Sequence, residues 1–138
     1  MNNLPAAARD ALEEFQQAAS WEQRARLLMQ WGDRLEPVDM SERNETTLVS
    51  GCESRVWLIG DRQNNHWHFR ATSEARLLRG LLAVLLARVN GIDSNQLQQL
   101  EVAYWFEQLG LSRHLSPSRS NGMNAVLERM HRISRQID

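Results

Sequence analysis

The sequence predicts an α+β fold in which helices cover one face of a small antiparallel sheet of about three strands. Apolar residues follow a helical spacing at the start of the chain, alternate with period two in the middle, and return to a helical spacing after residue 73. Strands that are grouped between helices, rather than alternating with them, favour an antiparallel sheet. A chain of 138 residues is sufficient for one core, so we interpret residues 1–138 as a single compact domain.

Two amphipathic helices are predicted at the start of the chain. Apolar residues recur every three or four positions between residues 4 and 19. Ser20 and Gln23 have the spacing of a capping box, which indicates that a second helix begins there and ends between Gly32 and Leu35. Three large apolar residues share one face of this second helix: Trp21, Leu28 and Trp31.

The middle third of the chain is predicted to form strands. Residues 46–49 and 55–59 are rich in β-branched and aromatic residues, and residues 60–65 have the composition of a hairpin turn. From residue 66 to 71, Trp, Phe and Ala alternate with His and Arg, which is typical of a strand with one buried face. We therefore expect a hairpin that pairs residues 54–60 with residues 66–72.

Helices are predicted over most of the remaining chain. Residues 75–90 are rich in Leu and Ala on nearly every side and end at Gly91, which indicates a buried central helix. A short helix follows Asp93 or Ser94, another spans residues 102–109, and Pro117 precedes the last helix. The apolar stripe of the last helix comprises Met123, Val126, Leu127, Met130, Ile133 and Ile137.

Composition excludes several classes of function. The net charge of -1 gives no overall field that would attract a phosphate backbone, so we expect no nucleic-acid partner. All 16 basic residues are Arg, and the absence of Lys excludes Schiff-base chemistry, a Lys-bound pyridoxal cofactor and a Walker-A lysine.

Hydropathy predicts a cytoplasmic protein without a membrane partner. The longest apolar stretch, residues 77–89, contains Arg79 and Arg88 and is too short to span a bilayer as a helix. The first five residues have neither the basic nor the apolar part of a signal peptide.

Cys52, the only cysteine, is the first candidate for chemistry. A lone cysteine cannot form an internal disulfide or a four-cysteine metal site. Free cysteine is often an inert core residue, but here the neighbours are small or polar and favour a turn, so both interpretations stay open on the residues alone. A nearby cation would increase the thiolate fraction; Arg55 is the nearest in sequence, and Glu53 opposes it.

Histidines and a series of arginines offer other interpretations. His66 and His68 could bind a metal, or one could be the base of a Cys-His hydrolase. Since no further ligand has metal-like spacing nearby, we interpret them as a solvated strand face and expect no metal site. His114 and His131 are interpreted as surface residues. The last group, Arg129, Arg132 and Arg135, could bind nucleic acid, but it also fits a helix C-terminus, where the dipole favours cations.

Three separate segments resemble the SufE/CsdE family. Residues 49–58, which read VSGCESRVWL, resemble its cysteine loop, approximately V-x-G-C-x-S-x-V-W. Residues 79–86 are similar to its central helix, and residues 115–123, which read LSPSRSNGM, resemble its S-x-S-R-S-x-G-[LM] segment. The resemblance covers nearly the whole chain and implies the compact α+β fold that the family shares with IscU-type scaffold proteins.

The resemblance implies a sulfur carrier that is not itself an enzyme. Cys52 takes the family's persulfide position, with Gly51, Glu53, Ser54 and Arg119 as supporting residues. Such a carrier accepts sulfur from a cysteine desulfurase of the SufS or CsdA kind, stimulates that enzyme, and delivers the sulfur to an Fe-S scaffold or another acceptor. The pyridoxal phosphate resides on the desulfurase, so the resemblance implies no cofactor in this chain. A monomer and a weak homodimer are both compatible with the composition.

A persulfide is easily lost to other thiols or to oxidation. We therefore expect the loop from Gly51 to Ser54 to shield Cys52 in the free protein and to swing out in a complex. Two alternatives stay open: a Cys-dependent hydrolase or transferase, and a non-catalytic adaptor that activates a desulfurase by contact alone.

Overall fold

A computed structural model describes residues 4–136, and within that range the chain forms six α-helices and two strands. We number them α1 (Ala6–Gln17), α2 (Trp21–Gly32), β1 (Val56–Gln63), β2 (His66–Ser73), α3 (Arg76–Val89), α4 (Ser94–Gln99), α5 (Val102–Gln108) and α6 (Pro117–Gln136). Short 3-10 turns lie at Met40–Glu42 and Ser112–His114. The α+β prediction is confirmed, while the expected place of Ile137 on the stripe of α6 lies outside the described residues.

The two strands form an antiparallel hairpin whose register runs from Val56 opposite Ser73 to Gln63 opposite His66. The sequence predicts strands at residues 54–60 and 66–72; β1 begins two residues later and ends three residues later than predicted, β2 extends one residue further, and the turn between them places Asn64 at a φ of 60°. On β2 the expected alternation is present, because Trp67, Phe69 and Ala71 are buried while their neighbours are not. This hairpin supplies the sheet face on which the helices pack.

Residues 46–49 do not form a third strand among the described residues. They contribute one isolated bridge, between Leu48 and Trp57. The side-chain oxygen of Asn44 accepts hydrogen bonds from the backbone N–H groups of Thr46 and Thr47. An Asn that bonds its own following backbone favours a turn, so this segment folds back before it can pair further along β1.

The core surrounds α3, which is buried on nearly all sides as predicted. Two glycines allow α2 and α3 to approach closely. A Cβ added at Gly80 would lie 2.5 Å from the carbonyl oxygen of Leu28, and one added at Gly32 would lie 3.0 Å from the backbone nitrogen of Gly80. Any side chain at either position would therefore force the two helices apart.

The burial of two aromatic side chains that lie near the start of α2, Trp21 and His114, differs from the sequence predictions. Trp21 is half-exposed instead of sharing the buried face of Leu28 and Trp31. The prediction that His114 is a surface residue is wrong: it is buried, with Nε2 3.1 Å from the carbonyl oxygen of Trp21. The indole covers His114, with ring centroids 6.2 Å apart, so the exposed tryptophan shields the histidine.

None of the helices in the described part of the chain has both the length and the apolar character to cross a membrane.

Candidate functional site

Cys52 lies in a short loop that connects the turn after Asn44 to β1. The backbone N–H of Val49 donates to the carbonyl of Val56 at 2.8 Å and closes the base of the loop. Gly51 has a φ of +96°, in the left-handed region that favours glycine. A Cβ at Gly51 would lie 3.2 Å from the Cβ of Ala125, so the loop is in close contact with α6. We call residues 50–55 the cysteine loop.

The thiol of Cys52 points toward α6 and is half-buried against the core. Its Sγ lies 3.6 Å from the carbonyl oxygen of Gly122, which is 70 positions away in the sequence. A Cβ added at Gly122 would lie 3.7 Å from Sγ, at ordinary van der Waals distance, so the sulfur packs directly beside this turn of the helix. Part of the sulfur surface is therefore covered by α6 in the free chain.

Side chains on α6 hold both the cysteine loop and the segment that precedes it. Ser118 donates a hydrogen bond of 2.8 Å to the carboxylate of Glu53. Arg129 donates to the backbone carbonyls of Leu48, at 3.0 Å, and of Thr46. Arg129 thus anchors the segment that leads into the cysteine loop, in addition to any favourable interaction with the helix dipole.

A pocket of about 170 Å³ opens beside the thiol. Its walls come from the cysteine loop and from the first turns of α3 and α6, and they comprise Cys52, Glu53, Ser54, Ala75, Leu77, Leu78, Ser118, Arg119 and Gly122. Helix N-terminal turns carry unpaired N–H groups and a partial positive charge, which favour a nearby anion. The pocket could accept a small group attached to the sulfur.

The charges around the loop do not activate the thiol in the free chain. Burial raises the pKa of the Cys52 thiol above its ordinary value. Arg55, the cation expected to favour the thiolate, instead forms an ion pair with Glu74 and lies 5.6 Å from the ring centroid of Trp57. Arg119 lines the pocket, and its Nη1 donates to the carbonyl of His114 at 3.1 Å.

The histidines do not form a site with Cys52. His68 pairs with Glu36, His114 lies under Trp21, and His131 is bonded to the carbonyl of Leu97. None of the four histidines lines the pocket beside Cys52. Within residues 4–136, no group of three or more His, Cys, Asp or Glu side chains is arranged to hold a metal ion.

Of the site residues expected from the sequence, Cys52, Glu53, Ser54 and Arg119 line one pocket, and Gly51 shapes the loop beside it. Sequence reasoning missed the contribution of the α3 N-terminus. Ala75, Leu77 and Leu78 belong to an apolar segment and carry no polar signal. Ser118 and Gly122 belong to the segment whose pattern pointed to Arg119, so that pattern could have indicated them.

Comparisons with known proteins agree on the family and the fold. The model of the SufE family, described as an Fe-S metabolism associated domain, matches residues 9–134. An uncharacterized SufE-like protein of Haemophilus influenzae is 32% identical over 123 residues, which cover 88% of this chain and 98% of the relative. The solution structure of a hypothetical protein from Thermus thermophilus superposes with a TM-score of 0.77, at 18% identity and with 96% of each chain covered. At that identity the structural match supports the fold alone.

Proposed function

Because this chain belongs to the SufE family of Fe-S metabolism associated domains, we propose that it is a sulfur acceptor and carrier for iron-sulfur cluster assembly, with Cys52 as the residue that holds the sulfur. The observation that carries the proposal is the position of the only cysteine, half-buried at the mouth of a pocket built from two helix N-termini.

The proposed chemistry is an exchange between two sulfur groups. The Cys52 thiolate attacks the terminal sulfur of a cysteine persulfide on a pyridoxal-dependent desulfurase of the SufS or CsdA kind. A new bond forms between Sγ and that sulfur as the partner's sulfur–sulfur bond breaks, and the partner's cysteine leaves as a thiolate that can take up the proton lost by Cys52. The partner supplies the pyridoxal cofactor, and the reaction needs no net oxidant or reductant.

The surroundings of Cys52 suit a carrier better than a hydrolytic nucleophile. A hydrolase that acted on its own would need a base near the sulfur, but no histidine lines the pocket and burial raises the pKa of the thiol. A raised pKa lowers the thiolate fraction of the free protein, so we expect Cys52 to react slowly until the protein meets a partner. Docking would move the cysteine loop away from α6 and expose the sulfur.

The pocket beside Cys52 can stabilise the persulfide that forms on this residue. A persulfide is anionic, and Arg119 together with the first turns of α3 and α6 would favour it on the pocket walls, although Glu53 on the same walls opposes it. A sulfur added to Cys52 could then be held against these groups while the carrier travels to an Fe-S scaffold or another acceptor.

Intact mass spectrometry tests the proposal. The protein is incubated with a cysteine desulfurase and free cysteine, and Cys52→Ser is treated in parallel. We expect a gain of one sulfur atom that reductant reverses and that the variant lacks. A rise in desulfurase turnover without any mass gain, and with Cys52→Ser equally active, would identify an adaptor and refute the carrier role. Absence of both effects with SufS-like and CsdA-like desulfurases would refute the proposal as a whole.

A further inference from the structure

A second cleft lies between α1, α3 and α5, away from the cysteine loop. It has a volume of about 440 Å³, within the range of small-molecule sites. Leu78, in the pocket beside Cys52, and Arg88, in this cleft, are ten residues apart on α3. At about 1.5 Å per residue they are separated by about 15 Å along the helix. The two cavities are therefore distinct.

One wall of the cleft is apolar. Leu4, Leu12 and Leu100 line it, and all three are partly buried leucines that pack on the core while part of each side chain remains exposed. Trp105 lies beneath, with its indole N–H already bonded to the carbonyl of Val84 at 2.9 Å. The tryptophan therefore offers this cleft no free donor, and the apolar wall suits a hydrocarbon group.

The charged residue of the cleft is Arg88, near the end of α3. Its guanidinium lies 5.9 Å from the ring centroid of Trp105, and within the described residues it has no hydrogen-bond or ion-pair partner. Burial lowers the pKa of Arg88. The guanidinium is half-buried and has five donors, so a bound acceptor can replace water there, and a charged hydrogen bond formed in a partly desolvated cleft is stronger than one in water. The helix dipole favours a cation at this end of α3 but does not replace an acceptor for those donors.

Two other side chains can bond a ligand in the cleft. Tyr104, which is 60% exposed and carries a hydroxyl, and Gln108, which is half-buried and carries an amide, both line the cleft. Both project from α5, the same helix that carries Trp105. A planar acceptor that binds Arg88 would therefore have neutral donors beside it and an apolar wall opposite.

We propose that this cleft binds a small carboxylate with an apolar body. The carboxylate accepts hydrogen bonds from Arg88 in the two-pronged geometry that guanidinium groups favour, and the hydrocarbon part lies against the three leucines of the apolar wall. An anion without an apolar body would leave the leucines solvated. An apolar molecule without an anion would leave the guanidinium unpaired, so both parts are needed.

NMR titration with three probes tests this site: hexanoate, 1-hexanol and acetate. We expect hexanoate to cause saturable shifts in the backbone amides of α1, α5 and the end of α3, and in the side-chain N–H of Arg88. We expect hexanol and acetate to bind at least about tenfold more weakly, since each lacks one of the two interactions. Equal affinities for all three probes, or shifts spread over the whole surface, would overturn the proposal.

Substitutions test whether hexanoate binds in this cleft. Arg88→Gln should weaken hexanoate about tenfold or more, because it removes a charged hydrogen bond. The control Arg132→Gln, which removes an exposed arginine of α6, should bind like the wild type. Arg88→Met keeps an apolar stem over Trp105 and replaces the Gln variant if that variant unfolds. Wild-type affinity in an Arg88 variant that folds would refute the site. Cys52→Ser should leave binding unchanged, which separates this test from that of sulfur transfer.

Discussion

The contact between the cysteine loop and α6 predicts a difference between two glycine-to-alanine substitutions. Gly51 and Gly91 have nearly the same φ, +96° and +94°. An added Cβ at Gly51 would lie 3.2 Å from the Cβ of Ala125, whereas nothing lies within 4 Å of one at Gly91. Gly91→Ala therefore measures the cost of the backbone conformation alone, and Gly51→Ala measures that cost plus the contact with α6.

The expected loss of stability in each variant follows from the φ of the glycine and from the distance to Ala125. Alanine in the left-handed region costs about 1–2 kcal/mol, which is offset by about 0.4–1 kcal/mol because alanine restricts the unfolded chain. We expect Gly91→Ala to lower the free energy of unfolding by about 1 kcal/mol. A carbon–carbon distance of 3.2 Å is shorter than an ordinary contact, so Gly51→Ala should lose about 1 kcal/mol more.

Urea denaturation of the reduced protein measures the stability, and the rate of iodoacetamide alkylation measures exposure of Cys52. If the cysteine loop relieves the contact by moving away from α6, the two variants will differ less in their free energy of unfolding. Cys52 will then react faster in Gly51→Ala than in Gly91→Ala. Ala125→Gly in the Gly51→Ala background should restore the wild-type rate, because it removes the carbon that the new Cβ meets. Equal stability losses together with equal alkylation rates would refute the packing of the loop on α6.

Three further predictions concern side chains near the loop and an ion pair elsewhere. Ser118→Ala removes the tether to Glu53; because that bond is exposed, we expect a loss of no more than about 1 kcal/mol but faster alkylation of Cys52, and an unchanged rate would contradict the tether. Burial raises the pKa of the Cys52 thiol, so the thiol of the unfolded chain loses its proton at a lower pH than that of the folded chain. The free energy of unfolding should therefore fall as the pH rises through the ordinary thiol range. Urea titrations at successive pH values should show this fall in the wild type and not in Cys52→Ser. The hydrogen bond from Arg70 lowers the pKa of the Glu42 carboxyl to about 2, so the stabilisation from this pair is present above the carboxyl's pKa in the unfolded chain and is lost as the pH falls toward about 2. In Arg70→Gln, NMR titration should show the pKa of Glu42 return toward 4.5.

Predictions that depend on local patterns agree well with the structure. The alternation of Trp67, Phe69 and Ala71 indicated the buried face of β2, and the apolar run of residues 75–90 indicated the central helix. Small and polar neighbours indicated that Cys52 lies in a turn, and the structure has it in a loop. The first two features depend on residues within one element, where the period of burial follows directly from backbone geometry, and the third depends on residues next to Cys52 in the sequence.

Predictions that depended on a particular hydrogen-bond partner were less successful. His114 carries no apolar signal, yet it is buried because Trp21, 93 positions away, supplies a carbonyl and a covering ring. The strand-like residues 46–49 form only one bridge, because hydrogen bonds to Asn44 turn the chain. In both cases a hydrogen-bond partner decided the outcome, and hydropathy does not report such partners.

By itself the sequence determined the α+β class, the absence of any lysine chemistry, and a single thiol as the candidate nucleophile. Only the tertiary structure decided how that thiol is surrounded: it brought Gly122 against the sulfur, paired Arg55 with Glu74, and made burial the cause of the raised pKa of Cys52. The reason is that periodicity records which side of an element faces the core, whereas solvation and charge at one atom depend on which elements pack around it.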